Sequence, residues 1–360
     1  MDAGLRALLA WPPGADLNAA FDTLDRYGRE QPPSGLVDLV AALADAETPA
    51  WARGALLGHS LRILCAHRAP AALDALGAIL ALDSPLRPGR WRAEVAARLA
   101  DAHPVNALLQ AEAAGLDADL LARWLQECVL RGQRLGRLRA LVALRERLAA
   151  QDRVLAELPL GLLTEEDRLA SRLPRLSARG RSLPAPKGPE APSTLPAPPD
   201  GLHPEELDEP LGDAAAAVAR WHSASNGRVD VSVHEIYGAD PLRALPALRL
   251  PCASGGPPLA GQRVTVDVVL AELFSAASSG GAYGRGVEGA EGRLLAWRSA
   301  AALADAPGGL PQEAAPAIRA CQWVQLDPDT PWFDQVGWDL WLACARPDGT
   351  LAVLAATDSD

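Results

Sequence analysis

The sequence predicts two domains of different class: an all-α N-terminal half and an α+β C-terminal half. Three observations carry this. Residues 172–210 are dense in Pro, Ala, Ser and Gly, with runs such as Pro184-Ala185-Pro186 and Pro196-Ala197-Pro198-Pro199. Before that seam, Leu and Ala recur at helical spacing. After it come six of the ten tryptophans, a glycine-rich loop and strand-like alternation. The expected organisation is a helical-repeat-like domain at 1–174, a proline-rich linker at 175–210, and an α+β domain with a small, mainly antiparallel sheet at 211–360.

In the first half, Leu17, Phe21, Leu24 and Tyr27 mark a helix capped by Asp16 and ending at Gly28. Ser34 is read as the cap of the next helix. Thr48-Pro49 is read as an N-cap followed by proline at the first helical position. Pro70 and Pro104 start further helices, and Asp117 caps one that stops at Gly132. Thr164-Glu165-Glu166-Asp167 resembles a capping box with Asp in the Glu position. Helices of three to four turns joined by short breaks suit a HEAT-like solenoid or an irregular bundle. The arginine-rich stretch 131–153 reads as the solvated face of one helix, with Leu135, Leu138, Leu141, Val142 and Leu148 turned inward.

In the second half, an Ala-rich amphipathic helix is expected at 213–225 and a strand at 228–236. On that strand Asp230, Ser232 and His234 share one face. They are triad residue types, but same-face neighbours on a strand lie about 6.5 Å apart. A triad draws its members from different loops, so a polar-faced edge strand is the expectation. A helix at 264–279 leads into the glycine-rich loop. Gly284, Gly286 and Gly289 match G-x-G-x-x-G, yet a helix precedes them where a dinucleotide fold needs a strand. The glycines are therefore read as a tight connection between two helices, with Tyr283 and Arg285 available to a ligand. A helix at 293–304 carries Trp297 and Arg298. Strands at 319–326, 335–345 and 350–357 close the chain, the last two joined by the turn Arg346-Pro347-Asp348-Gly349. Trp332 and Trp338 are expected on one strand face and Trp341 on the other. Asp339, mid-strand, needs a partner if buried, and Arg298 or Arg293 could supply it. Turn chemistry accounts for Asp327 and Asp329, and a chain end for Asp358.

The net charge of −11 argues against nucleic acid and anionic membranes as partners. Five separated cysteines with no C-x-x-C pair argue against a disulfide framework or a cysteine zinc site. The N-terminus lacks a signal-peptide pattern, and no apolar run is long enough to span a bilayer.

The strings GGAYG (280–284), GRLLAWRS (292–299), WFDQVGWDL (332–340) and LAVLAATDSD (351–360) together resemble a family of functionally uncharacterised proteins from high-GC bacteria. The resemblance lies mainly over 221–360, and it implies no activity, cofactor or catalytic residue. It draws attention to Tyr283, Trp297, Arg298, Trp338 and Asp339.

The leading expectation is a cytoplasmic, non-catalytic module that binds a protein partner, in a regulatory, conflict-system or immunity-like role, without metal or cofactor. The alternative is a hydrolase with a carboxylate and arginine site near the glycine-rich loop. The candidate ligand or partner residues are Tyr283, Arg285, Trp297, Arg298, Trp338 and Asp339.

Overall fold

A computed structural model of the chain describes residues 3–10, 15–84, 86–151, 153–177, 180–182, 184–282, 286–306, 308, 310–335 and 337–359. The chain forms two compact units. One comprises Met1–Leu160 with Arg175–Arg181, the other Gly161–Pro174 with Ser182–Asp360. No helix among the described residues is long and apolar enough to cross a membrane.

The first unit contains α1 (Ala3–Ala10), α2 (Leu17–Glu30), α3 (Ser34–Leu43), α4 (Ala50–Ala66), α5 (Pro70–Leu80), α6 (Arg92–Ala102), α7 (Ala107–Ala113), α8 (Ala118–Leu130), α9 (Arg139–Ala149) and α10 (Val154–Glu157). The strands β1 (Arg175–Ser177) and β2 (Gly180–Ser182) pair as a short ribbon. Each helix packs on its next-but-one neighbour. α2, α4, α6 and α8 make one row; α1, α3, α5, α7 and α9 make the other. Local chemistry explains several boundaries. Asp16 accepts the Asn18 N–H at 3.0 Å, and Asp117 accepts the Asp119 N–H at 2.7 Å.

Other local expectations change. α2 runs through Gly28, because a Cβ there would lie 2.3 Å from Ile63 Cγ2; the glycine lets two helices approach. Thr48 caps nothing. Its hydroxyl donates to the Leu9 carbonyl at 2.9 Å, tying the start of α4 to α1. Among the arginines of 131–153, Arg147 forks onto Glu112 and Arg145 donates to the Ala156 and Glu157 carbonyls. Leu138 is exposed, while Leu141, Leu144 and Leu148 are buried.

The second unit is α+β with an antiparallel sheet, as expected, and the sheet has seven strands. Its strands are β3 (Ser193–Thr194), β4 (Glu205–Leu207), β5 (Arg228–Glu235), β6 (Ala260–Val264), β7 (Gln322–Leu326), β8 (Trp338–Ala345) and β9 (Thr350–Asp358). The order is β3-β6-β7-β8-β9-β5-β4. Both edge strands come from the proline-rich segment. Proline lacks a ladder N–H and is tolerated at sheet edges, and the strands there are only two and three residues long. The β8–β9 hairpin follows the predicted turn. Ala345 sits opposite Leu351, and Gly349 adopts a φ of 92°.

Residues paired directly across a ladder share a face. One face meets α13 (Val266–Ser279), α14 (Glu288–Leu303), the 3₁₀ turns Gly212–Val218 and α11 (Ala219–Ser223). The single helix expected at 213–225 is thus a 3₁₀ run followed by one α turn. The opposite face carries Trp341, Ala343, Leu351, Val353 and Ala355. They pack with Leu245, Leu248, Leu250 and Cys252, which follow α12 (Pro241–Ala244), and with Phe333 from the segment before β8. α15 (Pro311–Ala320) precedes β7. Trp332 packs on the Trp341 cluster, so it shares a side with Trp341 and not with Trp338.

Candidate functional site

Of the six residues singled out by sequence, the four that are described, Trp297, Arg298, Trp338 and Asp339, point in different directions. Tyr283 and Arg285 lie outside the described residues. Trp297 and Arg298 are neighbours on α14, but about 100° separates consecutive residues on a helix. Trp297 is therefore wholly buried, while Arg298 is half-buried and only 3.9 Å from the exposed carboxylate of Asp213. Trp338 and Asp339 alternate across β8. Trp338 faces the helical layer, where its indole nitrogen is buried without a hydrogen bond. Asp339 faces the opposite side.

Trp297 serves the interior. Its indole N–H donates to Glu166 Oε1 at 2.8 Å. Arg293, one turn earlier, forks onto the same carboxylate, Nε to Oε1 at 2.6 Å and Nη2 to Oε2 at 2.8 Å. Both Arg293 and Glu166 are wholly buried. Glu166 Oε2 also accepts the Leu163 N–H at 2.7 Å, so the capping box forms one residue earlier than predicted and is made by Glu166. Arg293 is thereby committed elsewhere and does not serve Asp339.

A second buried carboxylate, Glu272 on α13, holds the Arg172 guanidinium and accepts the Lys187 N–H at 2.5 Å. Burial pushes its carboxyl up to about 7, against the pull of Arg172 and Lys187. At the start of α14, the glycines permit close packing as expected. A Cβ on Gly286 would overlap the Ser278 carbonyl oxygen at 1.5 Å. Before it, the Ala282 N–H donates to Asp358 Oδ2 at 2.7 Å. Asp358 is fully buried on β9, so it anchors the glycine-rich loop and is no mere chain-end residue.

Asp339 takes the Thr357 hydroxyl at 2.6 Å as its partner, directly across the ladder. It lines a cleft of about 350 Å³ with Asp327, Asp329, Gln335 and the backbone of Pro186 and Gly188. Burial raises the Asp339 carboxyl, the Thr357 bond opposes this, and Asp334 adds to the rise. Burial and Asp329 likewise raise Asp327. Carboxyls held above their ordinary range keep a proton to higher pH and can donate it.

The largest departure from expectation is at β5. It is paired on both sides, by β9 and by β4, and is not an edge. His234 is 4% exposed. Its Nε2 lies 2.9 Å from Ser232 Oγ, inside the reach that the 6.5 Å strand repeat seemed to forbid. The side chains lean along the strand and close the gap. Burial lowers the His234 imidazole, keeping it neutral, and burial followed by Glu206 raises Asp230. Glu206 sits opposite His234 on β4. Among the described hydrogen bonds, none joins His234 to either carboxylate, so the row is a serine–histidine pair with acids nearby.

The true edge beside this row is β4, where Glu205 and Glu206 are exposed. Tyr237 stands at its end, just past β5. It is 58% exposed and holds a left-handed backbone, φ 52°, followed by Gly238 at φ 73°. Partial desolvation, then the Glu205 and Glu235 carboxylates, hold its hydroxyl above the ordinary tyrosine value. The dipeptide Tyr237-Gly238 before Asp240-Pro241 was the available sequence signal for this turn.

Among the described residues, no group of three or more His, Cys, Asp or Glu is arranged to hold a metal ion. No curated protein and no solved structure matches the chain. A family of unknown function (DUF6183) matches residues 18–360, taking in the helical half as well as the stretch 221–360 on which the resemblance had rested. The chain belongs to that family.

Proposed function

We propose that this is a non-catalytic, cytoplasmic interaction protein whose α+β unit binds an extended, basic segment of a protein partner along β4 and over Tyr237. Tyr237 is the observation that carries the reading. A left-handed backbone costs free energy for any residue with a Cβ, and such strain concentrates at ligand clamps. Here it presents an aromatic ring to solvent at the end of the β4–β5 pair, next to the edge strand. Exposed strand edges accept an added strand through their main-chain groups, and aromatic side chains anchor interfaces. Glu205, Glu206 and Glu235 supply charge complementary to Lys or Arg, in a protein of net charge −11. The two rows of helices support a repeat-like scaffold role for the first unit, by analogy of architecture.

The test is site-specific photocrosslinking in cells with p-benzoylphenylalanine at position 237, and at Gln312 on exposed α15 as control. The expected result is one protein adduct from 237, absent from 312 and lost when Glu205 and Glu206 are both changed to Lys. No adduct, or the same adduct from both positions, refutes the reading.

A second reading, a carboxylate-based hydrolase, is favoured by Asp327 and Asp339 sharing one cleft with raised carboxyls. It requires a hydrolytic activity that Asp339→Asn abolishes while the 237 crosslink persists.

A further inference from the structure

Three successive helices of the even row, α2, α4 and α6, converge with β1 on a cleft of about 430 Å³ in the helical unit. The sequence places its polar groups by helical spacing: His59 and Arg62 are one turn apart on α4 and share a face. His59 Nε2 meets Asp25 Oδ1 at 2.8 Å, and its ring stacks on Phe21 with centroids 4.2 Å apart. Arg98 on α6, only 9% exposed, donates from Nη1 to the Ser177 carbonyl at 2.8 Å. Glu94 Oε1 receives the Nε–H of both Arg62, at 3.0 Å, and Arg98, at 2.9 Å. One carboxylate oxygen thus braces two guanidiniums at the wall of a single cleft. Burial works to raise the Glu94 carboxyl, but the two guanidiniums outweigh it and hold it low, so the brace stays charged. Ile63, Ala66, Ala102 and Leu176 give the cleft an apolar side, and Asp101 also lines it, its carboxylate held by Arg131.

We propose that this cleft binds a small organic oxyanion, its carboxylate or phosphate end on Arg62 and Arg98 and its apolar body along Ile63 and Leu176. Guanidinium is planar, permanently charged and matched to oxyanions by paired N–H groups. Glu94 holds the Nε–H of each guanidinium before a ligand arrives, so little side-chain entropy is lost on binding. The cleft volume falls within the range of small-molecule sites, and its mix of apolar wall and few convergent polar groups is what such sites share. The site is independent of the β4 edge, and either can fail without the other.

The experiment is isothermal titration calorimetry and thermal shift on the full chain, with phenyl phosphate, phenylacetate and uncharged benzyl alcohol as probes. Saturable binding of one of the two anions is expected, at a dissociation constant below ~1 mM, with none for benzyl alcohol. The stronger anion identifies the ligand class. Arg62→Gln weakens it by at least about tenfold. Ala66→Trp keeps every charge, fills the apolar side and abolishes binding, which covers the case in which Arg62→Gln does not fold. Absence of saturable binding by both anions overturns the proposal. So does binding that both variants leave unchanged.

Discussion

Glu166 and Glu272 are both buried carboxylates in the α+β unit, and both hold the segment before β3 against its helices. They differ in what reaches them. Glu166 collects four donors: two from Arg293, one from Trp297 and one from the Leu163 backbone. Glu272 has one guanidinium and one backbone N–H, and burial outweighs them, leaving its carboxyl at about 7. Each hydrogen bond delivered to a buried carboxylate offsets part of the hydration it has lost, and Glu166 receives more of them.

Removing one member of the better-served pair makes the largest break. Glu166→Gln leaves the Arg293 charge buried without its carboxylate, and a cost of about 3–5 kcal/mol is expected. Urea unfolding followed by tryptophan fluorescence measures it. The double change Glu166→Leu with Arg293→Met recovers most of that loss, since no charge then stays buried.

Glu272 gives the opposite test. Its folded-state carboxyl titrates near 7, above the ordinary 4.5. Between those values the folded chain keeps a proton that the unfolded chain has released. Stability therefore falls as pH rises through this window, by at most about 3 kcal/mol. Urea midpoints at successive pH values from 5 to 8 should show that slope, and Glu272→Gln should flatten it. An unchanged slope in the variant would remove Glu272 as its source.

Trp297→Phe sharpens the donor-counting argument by deleting one of the four bonds to Glu166. A loss of about 1.5–3 kcal/mol is expected, as for other hydrogen bonds to charged groups. Arg172→Gln deletes the only guanidinium bonded to Glu272 among the described contacts. Its expected effect is the smallest, an upward move of the pH window by about one unit, read from the same midpoints.

Much of the fold was legible because its signals are local. Asp16, Pro70 and Asp117 set helix starts, and the Pro347-Asp348-Gly349 turn fixed the hairpin register. The edge strands were not legible. Ser193–Thr194 and Glu205–Leu207 are too short for alternation to register, and their partners lie tens of residues away. The candidate set was less legible still. Adjacent residues on α14 and on β8 point apart, which separates Trp297 from Arg298 and Trp338 from Asp339. That much follows from period alone. The pairing of Glu166 with Arg293 spans 127 positions and leaves no trace in spacing or composition. The Ser232–His234 contact was visible as a pattern, but mean strand geometry conceals how far two side chains lean.

The order of strands in the sheet has a consequence for synthesis. β9 follows the other strands of this sheet in the chain yet lies inside it: β8 flanks it on one side and β5 on the other. Until residues 350–358 leave the ribosome, β4 with β5 and β3 with β6, β7 and β8 are two separate pieces, each with an apolar face that β9 would otherwise extend. At ordinary elongation rates of about 5–20 residues per second that interval lasts roughly 8–30 s after Leu207 is added. Exposed apolar surface and unpaired strand edges of this kind are aggregation-prone, so a holding chaperone is expected to engage the nascent chain during that time. Ribosome-bound chains stalled before Thr350 should carry one, and chains released after Asp358 should shed it.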